Sequence, residues 1–273
     1  MYKSFYGLSC NPFQKDESVK YHFESNDFTE TLNRLNYLKE IKGIGLINGT
    51  SGLGKTFSLR YFINSLNKDL YKIIYISSSP NMTVFDFFKQ ISNELNLDTG
   101  ACYGTDLYKN IQKEIVRSVK QDKIEPIVII DDAHLLSRDI LFNFKVLYDF
   151  DMDSKDYVTL VLIGYPSLKV ELSKTIHETL NQRIIVNYEF KGLTRSEVKE
   201  YVESRLKLAN ANKSIFTEDA LNALYSCSKS SPRRLNTLVL NSLMLGCQDG
   251  VVEIDKEIIM RAKKEMDLNW IKK

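Results

Sequence analysis

The sequence lacks the long apolar runs and the leader segment that mark membrane and secreted proteins. No stretch of the 273 residues approaches the roughly 18 apolar residues that a bilayer-spanning helix needs. The first residues, MYKSFYGLSCNPF, contain no sustained apolar segment of the kind that a secretory signal carries. We therefore expect a cytoplasmic protein with no membrane partner.

Cysteine and histidine are too few and too dispersed for a metal centre or a disulfide framework. The four cysteines and three histidines are Cys10, Cys102, Cys227, Cys247, His22, His134 and His177. None of them are paired at the spacing of a zinc motif. We expect reduced thiols, as in cytosolic proteins generally.

Neither sign of charge predominates. The chain has 37 basic and 35 acidic residues, which gives a net charge of +2. This balance does not require a nucleic-acid partner, and it does not exclude a local basic patch. A hydrophobic content of 43% is enough for a core, and the length allows one large domain or two smaller ones.

Five short, β-branched apolar runs alternate with segments that can be helical. The runs are IGLIN (44–48), KIIYIS (72–77), PIVIID (126–131), VTLVLIG (158–164) and IIVNYEF (184–190). The intervening helical segments are 57–67, 83–95, 106–121 and 138–150. Non-alternating apolar runs are typical of buried parallel strands, so the pattern predicts an α/β fold with a parallel five-stranded sheet.

After about residue 192 the pattern becomes wholly helical. Thr194 with Glu197 forms a capping box, and Pro232 suits the first turn of a helix. We predict an N-terminal extension over 1–40 that packs on the core, an α/β nucleotide-binding domain over 41–191 and a small helical lid domain over 192–273.

The stretch GTSGLGKT (49–56) fits the phosphate-loop pattern G-x-x-x-x-G-K-[ST] between a predicted strand and a predicted helix. Glycines let backbone N–H groups close around phosphate oxygens. Lys55 would reach the β- and γ-phosphates, and the Thr56 hydroxyl would ligate Mg²⁺. The alternative is a glycine-rich turn with an incidental lysine.

Two aspartates follow the third apolar run directly. A carboxylate at the carboxyl end of a parallel strand faces the ligand crevice, so Asp131 is a candidate Mg²⁺ ligand. Asp132 is the candidate that orients and deprotonates the attacking water. The alternative for both residues is capping of the helix that follows.

Taken together, these motifs resemble AAA+ ATPases of the ExeA and TnsC/IstB/MuB-like kind. Besides the phosphate loop and IIDDAHLL, the resemblance rests on FYGL (5–8) with NPF (11–13), VLIGYPSLKVEL (161–172), LNQRI (180–184) and SPRRLN (231–236). It implies a P-loop NTPase fold of the AAA+ type, with ATP and Mg²⁺ as cofactors.

The resemblance also assigns roles to single residues. Those that would surround the nucleotide are Gly49, Thr50, Ser51, Gly52, Leu53, Gly54, Lys55, Thr56, Phe57, Tyr165 and Arg233. Lys55 and Asp132 would be catalytic, with Arg183 as the finger that reaches a neighbouring subunit's nucleotide; a surface arginine is the alternative. Asp132 is one methylene shorter than the glutamate of related proteins, and a misplacement of about 1 Å can cost on the order of 10²-fold, so slow hydrolysis is expected.

Three further positions depart from the family pattern or leave a choice open. Tyr165 stands at the sensor 1 position, where a small polar residue is usual. Arg233 best matches sensor 2, with Arg234 as a near rival. Two arginines at a helix start suggest a bound anion, and a solvated helix start is the alternative for both. Ser230 stands where related lids often have glycine.

The implied function is an oligomerising, DNA-binding ATPase that regulates transposition by marking duplex DNA and recruiting a transposase. A finger acting in trans makes a heterologous contact, which builds a ring or a helical filament. The absence of a membrane helix after the ATPase module favours this branch over an ExeA-type ATPase for envelope or secretion complexes. A nucleotide-binding scaffold with little hydrolysis is the third possibility.

The DNA surface is weakly encoded. Candidates lie in SSSPNMT (77–83), in TGACYGT (99–105) and in the helices that follow: Asn81, Thr83, Lys89, Tyr103, Thr105 and Lys109. Hydroxyl, amide and amino groups of this kind contact phosphates without reading bases, so binding would be largely independent of sequence. Plain solvated loops are the alternative.

Overall fold

The computed structural model describes residues 2–14, 22–97, 104–151, 155–211 and 214–271. Its α/β part is built on a parallel sheet in the order β2-β3-β4-β1-β5. The strands are β1 (Ile44–Asn48), β2 (Tyr71–Ser77), β3 (Glu125–Asp131), β4 (Thr159–Gly164) and β5 (Ile184–Glu189). Each matches a predicted run to within a residue or two, and the predicted five-stranded α/β fold is confirmed.

The central strands are buried because they have helices on both faces. All residues of β1 and β4 are buried, as are all of β3 except its first. This burial on both faces explains why the runs are apolar throughout instead of alternating. The parallel register brings the carboxyl ends of β1, β3 and β4 to one edge of the sheet, with Asn48 paired to Gly164 and Ile130 to Leu162.

The helices associated with the sheet are α2 (Asn26–Ile41), α3 (Lys55–Ser65), α4 (Val84–Glu94), α5 (Thr105–Arg117), α6 (Arg138–Asn143), α7 (Pro166–Leu172) and α8 (Glu178–Gln182). The segment predicted as a helix over 138–150 is shorter, because α6 ends at Asn143 and a 3₁₀ turn covers Phe144–Leu147. Side chains three apart eclipse in a 3₁₀ turn. Phe144 and Leu147, both fully buried, can therefore reach the core on one side.

The chain divides into two compact units: residues 30–50 with 55–190, and residues 1–29 with 51–54 and 191–273. The second unit is helical and contains α1 (Tyr2–Tyr6), the start of α2, α9 (Arg195–Leu208), α10 (Glu218–Ser228), α11 (Pro232–Gln248) and α12 (Lys256–Ile271). The predicted extension over 1–40 is thus divided after Thr29. The predicted domain boundaries themselves stay predictions.

Local signals in the helical unit behave as predicted. Thr194 and Glu197 form the capping box of α9, and Pro232 occupies the first turn of α11. Ser230 has a left-handed φ of 60°, which is the backbone conformation that glycine adopts most readily. Its carbonyl accepts a hydrogen bond from Leu193 N at 2.9 Å.

The N-terminal residues are tied into the same helical unit. Asp27 is buried, and its carboxylate accepts from Lys191 N at 2.9 Å and Gly192 N at 2.7 Å. The Tyr6 hydroxyl donates to Val251 O at 2.8 Å. In the described part of the chain, no helix combines the length and the apolar character needed to cross a membrane.

Candidate nucleotide and metal site

The phosphate loop connects the end of β1 to the start of α3, as predicted. Gly52 and Gly54 have left-handed φ angles of 81° and 104°. A Cβ on Gly52 would lie 2.9 Å from both Arg233 Cβ and Ser231 Oγ, so glycine is required there by space as well as by conformation. Leu53 is buried, which anchors the middle of the loop.

The Lys55 ammonium lies over the loop that precedes it. Its Nζ donates to Gly49 O at 2.7 Å and to Thr50 O at 2.8 Å, and it lies 5.3 Å from the centroid of the Tyr165 ring. The first helical position therefore holds a cation directly over the turn that would cradle phosphates. Phe57, two residues on, lies in α3 with the Arg60 guanidinium 5.8 Å from its ring centroid.

The Asp131 carboxylate is buried and held from three sides. The Thr56 hydroxyl donates to its Oδ2 at 3.1 Å, and the Tyr75 hydroxyl donates to the same oxygen at 3.0 Å. Its Oδ1 accepts from Asp132 N at 2.9 Å. A carboxylate and a hydroxyl at this distance form the hard oxygen pair that Mg²⁺ prefers when nucleotide phosphates and water complete its shell.

Acidic, histidine and cysteine side chains alone do not make a metal centre here. Among the described residues, no group of three or more of them is placed to hold an ion. The donor set that fits Mg²⁺ is therefore Thr56 with Asp131, the pair predicted from the sequence.

Tyr75 is a site residue that the sequence prediction missed. In the register of β2 with β3, Ser77 pairs with Asp131 and Tyr75 with Ile129, so Tyr75 lies on the same face as Asp131. Burial, and next the negative charge of Asp131, raise the pKa of Tyr75 to about 12. The phenol is therefore a donor at every physiological pH. Its signal in the sequence was a hydroxyl-bearing residue in an otherwise apolar run.

Asp132 has quite different surroundings from Asp131. Its backbone is left-handed, with φ 52° and ψ 34°, and its side chain is 51% exposed. It precedes the 3₁₀ turn Ala133–Leu135, but its side chain makes no capping hydrogen bond. This geometry therefore does not favour a role for Asp132 as a helix cap alone. The His134 imidazole lies beside it, with Nδ1 3.9 Å from Asp132 Oδ1.

Tyr165 stacks on His134. The ring centroids are 4.0 Å apart and the planes are inclined by 21°. Burial lowers the pKa of His134, an effect only partly opposed by the charge of Asp132, so the imidazole is neutral at pH 7. The sensor 1 position thus presents a ring face beside the Lys55 ammonium.

Arg183 follows α8 and precedes β5. Its guanidinium lies 4.6 Å from the centroid of the buried Tyr148 ring, a cation–π arrangement within the same unit. The guanidinium is therefore held against a ring of its own chain.

In the helical unit, Arg233 contacts phosphate-loop residues that belong to that unit. Its Nη1 donates to Ser51 Oγ at 3.1 Å, and its backbone N donates to Gly52 O at 3.3 Å. Ser231 Oγ donates to the same carbonyl at 3.2 Å. Arg234 Nε, in contrast, is buried with no hydrogen-bond partner. This geometry distinguishes the two arginines, which the sequence left as rivals.

The candidate DNA-contact residues lie in α4, α5 and the segments before them. Thr83 is the N-cap of α4 and is engaged with Asp86 in a capping box, while Lys89 Nζ lies 5.7 Å from the Phe85 ring centroid. Asn81, Thr105 and Lys109 are exposed, and Tyr103 lies outside the described residues. These positions are accessible, but the structure does not single out a basic surface among them.

Comparison with known proteins decides the class. The model of a family described as AAA domain matches residues 39–170. This segment therefore has the sequence pattern of an AAA domain. General secretion pathway protein A from Aeromonas hydrophila is 31% identical over 246 residues, which are 89% of this chain and 44% of that protein. The chain thus spans less than half the length of this curated relative.

Solved structures of the same fold are also similar to this AAA domain protein. Cdc6p from Pyrobaculum aerophilum gives a TM-score of 0.67 at 19% identity, covering 92% of this chain and 71% of that chain. ORC1 from Aeropyrum pernix, solved in complex with DNA, gives a TM-score of 0.62 at 18% identity, covering 93% of this chain and 68% of that chain. At these identities the likeness shows the fold alone.

Residues 39–170 are thus similar to the domains of AAA+ P-loop ATPases. The predicted AAA+ fold, ATPase class and cofactors are confirmed at that level. Within the predicted family, the resemblance to ExeA-type ATPases is supported by the secretion-pathway relative. The TnsC/IstB/MuB-like side is not confirmed and stays a prediction.

Proposed function

We propose that this protein is an ATP-controlled assembly factor that binds ATP with Mg²⁺, self-associates and hydrolyses the nucleotide slowly. The observation that carries the proposal is the 3.1 Å contact between Thr56 and the buried Asp131, next to a loop over which Lys55 is already held. Lys55, Thr56 and Asp131 belong to one unit, which therefore supplies both a cation and a metal pair.

The loop residues would bind the phosphates through their backbone N–H groups. These are Gly49, Thr50, Ser51, Gly52, Leu53, Gly54 and Phe57, with Lys55 and Thr56. The Lys55 ammonium has only to exchange two carbonyl oxygens for phosphate oxygens, which carry more negative charge. Arg233, held at Ser51, would add a second cation as sensor 2.

Thr56 and Asp131 would hold Mg²⁺, which when bound neutralises charge on the phosphates. Tyr75 fixes the orientation of the Asp131 carboxylate by donating to its Oδ2. A hydrogen bond of this kind restricts the orientation of a ligating carboxylate without contacting the metal. The three residues together would determine nucleotide affinity.

Asp132 would orient and deprotonate the attacking water. Its side chain is exposed and short, and His134 Nδ1 lies 3.9 Å from its Oδ1. A general base must lie within about 3.2 Å of the proton that it takes, directly or through one water. Because the Asp132 side chain is one methylene shorter than glutamate, it would hold that water less closely, and hydrolysis would be slow, which suits a protein whose ATP-bound state has to persist.

Arg183 would act on the nucleotide of a neighbouring copy. Its place against Tyr148 keeps the guanidinium ordered in the single chain. Contact between one copy's Arg183 and the next copy's phosphates joins two different surfaces, which builds a ring or a filament. Nucleotide would then stabilise the assembly, and hydrolysis would loosen it.

Duplex DNA is the first candidate for what the assembly binds, with transposition regulation as the cellular role and a transposase as the recruited partner. Support comes from the exposed Asn81, Thr105, Lys89 and Lys109, whose groups suit phosphate contacts. Fold neighbours that include a DNA complex add support at the level of the class. The work of such a protein would be done in the cytoplasm.

Assembly of an envelope or secretion complex is the second candidate, and the comparisons support it at least as well. The specific observation in its favour is the 31% identity to general secretion pathway protein A over 89% of this chain. In that role the same ATP-controlled assembly would engage a membrane-bound partner, and no affinity for duplex DNA is expected.

Electron microscopy with and without duplex DNA tests the proposal and separates the two candidates. We expect ordered rings or filaments with ATP or a slowly hydrolysed analogue, and their loss with ADP. Growth of these assemblies on DNA supports the transposition role, whereas assembly that ignores DNA supports the secretion role. Particles that are the same in ATP, ADP and no nucleotide would contradict both candidates.

A further inference from the structure

Two rings lie between the phosphate loop and the second aspartate. The Lys55 ammonium is 5.3 Å from the Tyr165 centroid, the Tyr165 and His134 centroids are 4.0 Å apart, and His134 Nδ1 is 3.9 Å from Asp132 Oδ1. Four side chains therefore form a continuous row. One end carries the cation that binds phosphate, and the other end carries the acid that would activate water.

The backbone is built to keep this row together. Gly164 ends β4 directly before Tyr165, and a Cβ at Gly164 would lie 3.1 Å from His134 N and 3.4 Å from His134 Cβ. A side chain at Gly164 would therefore require the turn that carries His134, or the Leu168 side chain, to move by a few tenths of an ångström. Pro166 then occupies the first turn of α7, with Tyr165 in extended conformation at its N-cap.

The chemistry of the row depends on ring faces. An aromatic face carries negative potential and attracts an ammonium group, and stacked rings hold each other in orientation. His134 Nδ1 is buried and has no hydrogen-bond partner, although Asp132 Oδ1 is near. A movement of about 1 Å would bring that pair within hydrogen-bond distance.

We propose that the Tyr165–His134 stack positions Asp132 according to where Lys55 lies, so that hydrolysis depends on the ring face of Tyr165 and not on its hydroxyl. This rests on the proposed ATPase function. Transfer of the Lys55 ammonium from the loop carbonyls to phosphate oxygens changes the charge against the Tyr165 ring. The stack then shifts His134 relative to Asp132. Tyr165 and His134 are positioning residues, and the stack takes the place of the small polar sensor of related proteins.

Substitutions at Tyr165 separate the ring from the hydroxyl. Tyr165→Leu removes the stack and should lower kcat about tenfold to a hundredfold, with the KM for ATP changed less than about threefold. Tyr165→Phe keeps the ring and should restore turnover to within about threefold of wild type. Tyr165→Asn supplies the usual polar group and should remain as slow as Tyr165→Leu. Tyr37→Leu, at an exposed tyrosine on α2, is the matched control and should leave turnover unchanged.

Imidazole NMR gives a readout that a merely structural defect would not reproduce. The chain has three histidines, so His134→Gln assigns the His134 signals directly. We expect a ring-current shift of these signals that survives in Tyr165→Phe, disappears in Tyr165→Leu and changes when a slow ATP analogue binds. The ring-current shift is measured on folded chains, so loss of folding does not mimic it. His134→Gln should itself lower kcat with little change in the KM for ATP.

Several outcomes would overturn the proposal. Tyr165→Phe as slow as Tyr165→Leu would mean that the hydroxyl acts, and full activity in Tyr165→Asn or Tyr165→Leu would mean that the stack is dispensable. His134 signals that do not change when the ATP analogue binds would also contradict the coupling of Lys55 to Asp132 through the stack. Absence of turnover in the wild type would contradict the proposed function itself, and with it the coupling.

Discussion

Asp131 and Asp132 are adjacent in sequence, but the structure surrounds them in opposite ways. Asp131 is only 7% exposed and both of its oxygens accept hydrogen bonds, from Thr56, Tyr75 and a backbone N–H. Asp132 is half exposed, has a left-handed backbone and lies 3.9 Å from His134 Nδ1, beyond hydrogen-bond distance. One carboxylate is fixed before any ligand arrives, and the other is not.

The difference between the two aspartates would separate affinity for Mg²⁺ and nucleotide from the rate of ATP hydrolysis. A carboxylate whose orientation is already fixed loses little entropy when it takes a metal, so binding is favoured. A water-activating group that has to be brought into place contributes little until something moves it. On the proposed function, the chain would bind nucleotide firmly and hydrolyse it slowly, as an ATP-dependent assembly requires.

Removal of the Asp131 charge should have the largest effect. Asp131→Asn leaves an amide facing Thr56 and Tyr75, and it should weaken Mg²⁺-dependent ATP binding and lower turnover by about 100-fold to 1,000-fold. Titration calorimetry with ATP at saturating Mg²⁺ and a phosphate-release assay measure the two effects. Asp139→Asn, at an exposed position in α6, is the control. Tight Mg²⁺·ATP binding by Asp131→Asn would refute its assignment as the metal carboxylate.

Removal of the Asp132 charge should affect turnover alone. Asp132→Asn should lower hydrolysis by about 100-fold while ATP binding and ATP-dependent assembly persist. Asp132→Glu lengthens the side chain and should keep or raise turnover. Steady-state kinetics and light scattering on the same samples provide the measurement. Normal hydrolysis by Asp132→Asn would mean that the water-orienting group lies elsewhere.

Tyr75→Phe should weaken Mg²⁺ binding at Asp131, by a smaller amount than Asp131→Asn does. Without the phenol, Asp131 Oδ2 keeps only Thr56 as a donor, so the Mg²⁺ concentration for half-maximal ATP binding should rise about tenfold. Turnover at saturating Mg²⁺ should stay near the wild-type value. Tyr37→Phe controls for loss of a surface hydroxyl, and an unchanged Mg²⁺ requirement would remove Tyr75 from the metal site.

The smallest expected effect is that of pH on Mg²⁺·ATP binding. The pKa of Tyr75 is raised to about 12, so its proton stays in place above the usual value near 10, and the hydrogen bond to Asp131 is lost only as pH rises through about 12. Affinity measured between about pH 7.5 and about pH 10.5 should therefore change less than about twofold. A wild-type decline centred near pH 10 that Tyr75→Phe lacks would contradict this.

Local pattern was enough to predict the sheet, the loop and the two aspartates. Burial on both faces makes each strand an apolar run, and the loop is encoded by glycine, lysine and threonine within eight consecutive residues. Thr56 and Asp131 could be paired because a phosphate loop and the end of a parallel strand meet at one edge of the sheet.

Contacts between distant segments could not be predicted in the same way. The Tyr75–Asp131 bond depends on the register of β2 with β3, and the Tyr165–His134 stack depends on Gly164 admitting a neighbouring turn. The choice of Arg233 over Arg234 depends on where Ser51 lies. None of these distances leaves a periodic signal in the sequence, because each is fixed by tertiary packing.

A single-turnover experiment tests most directly whether slow hydrolysis sets the lifetime of the assembled state. Chains assembled with γ-labelled ATP are freed of excess nucleotide, and phosphate release and light scattering are followed in one cuvette. We expect both signals to decay with the same rate constant, and we expect the assembly of Asp132→Asn to outlast that of the wild type. Assemblies that persist after the γ-phosphate has been lost, or that disperse before it is lost, would contradict the account.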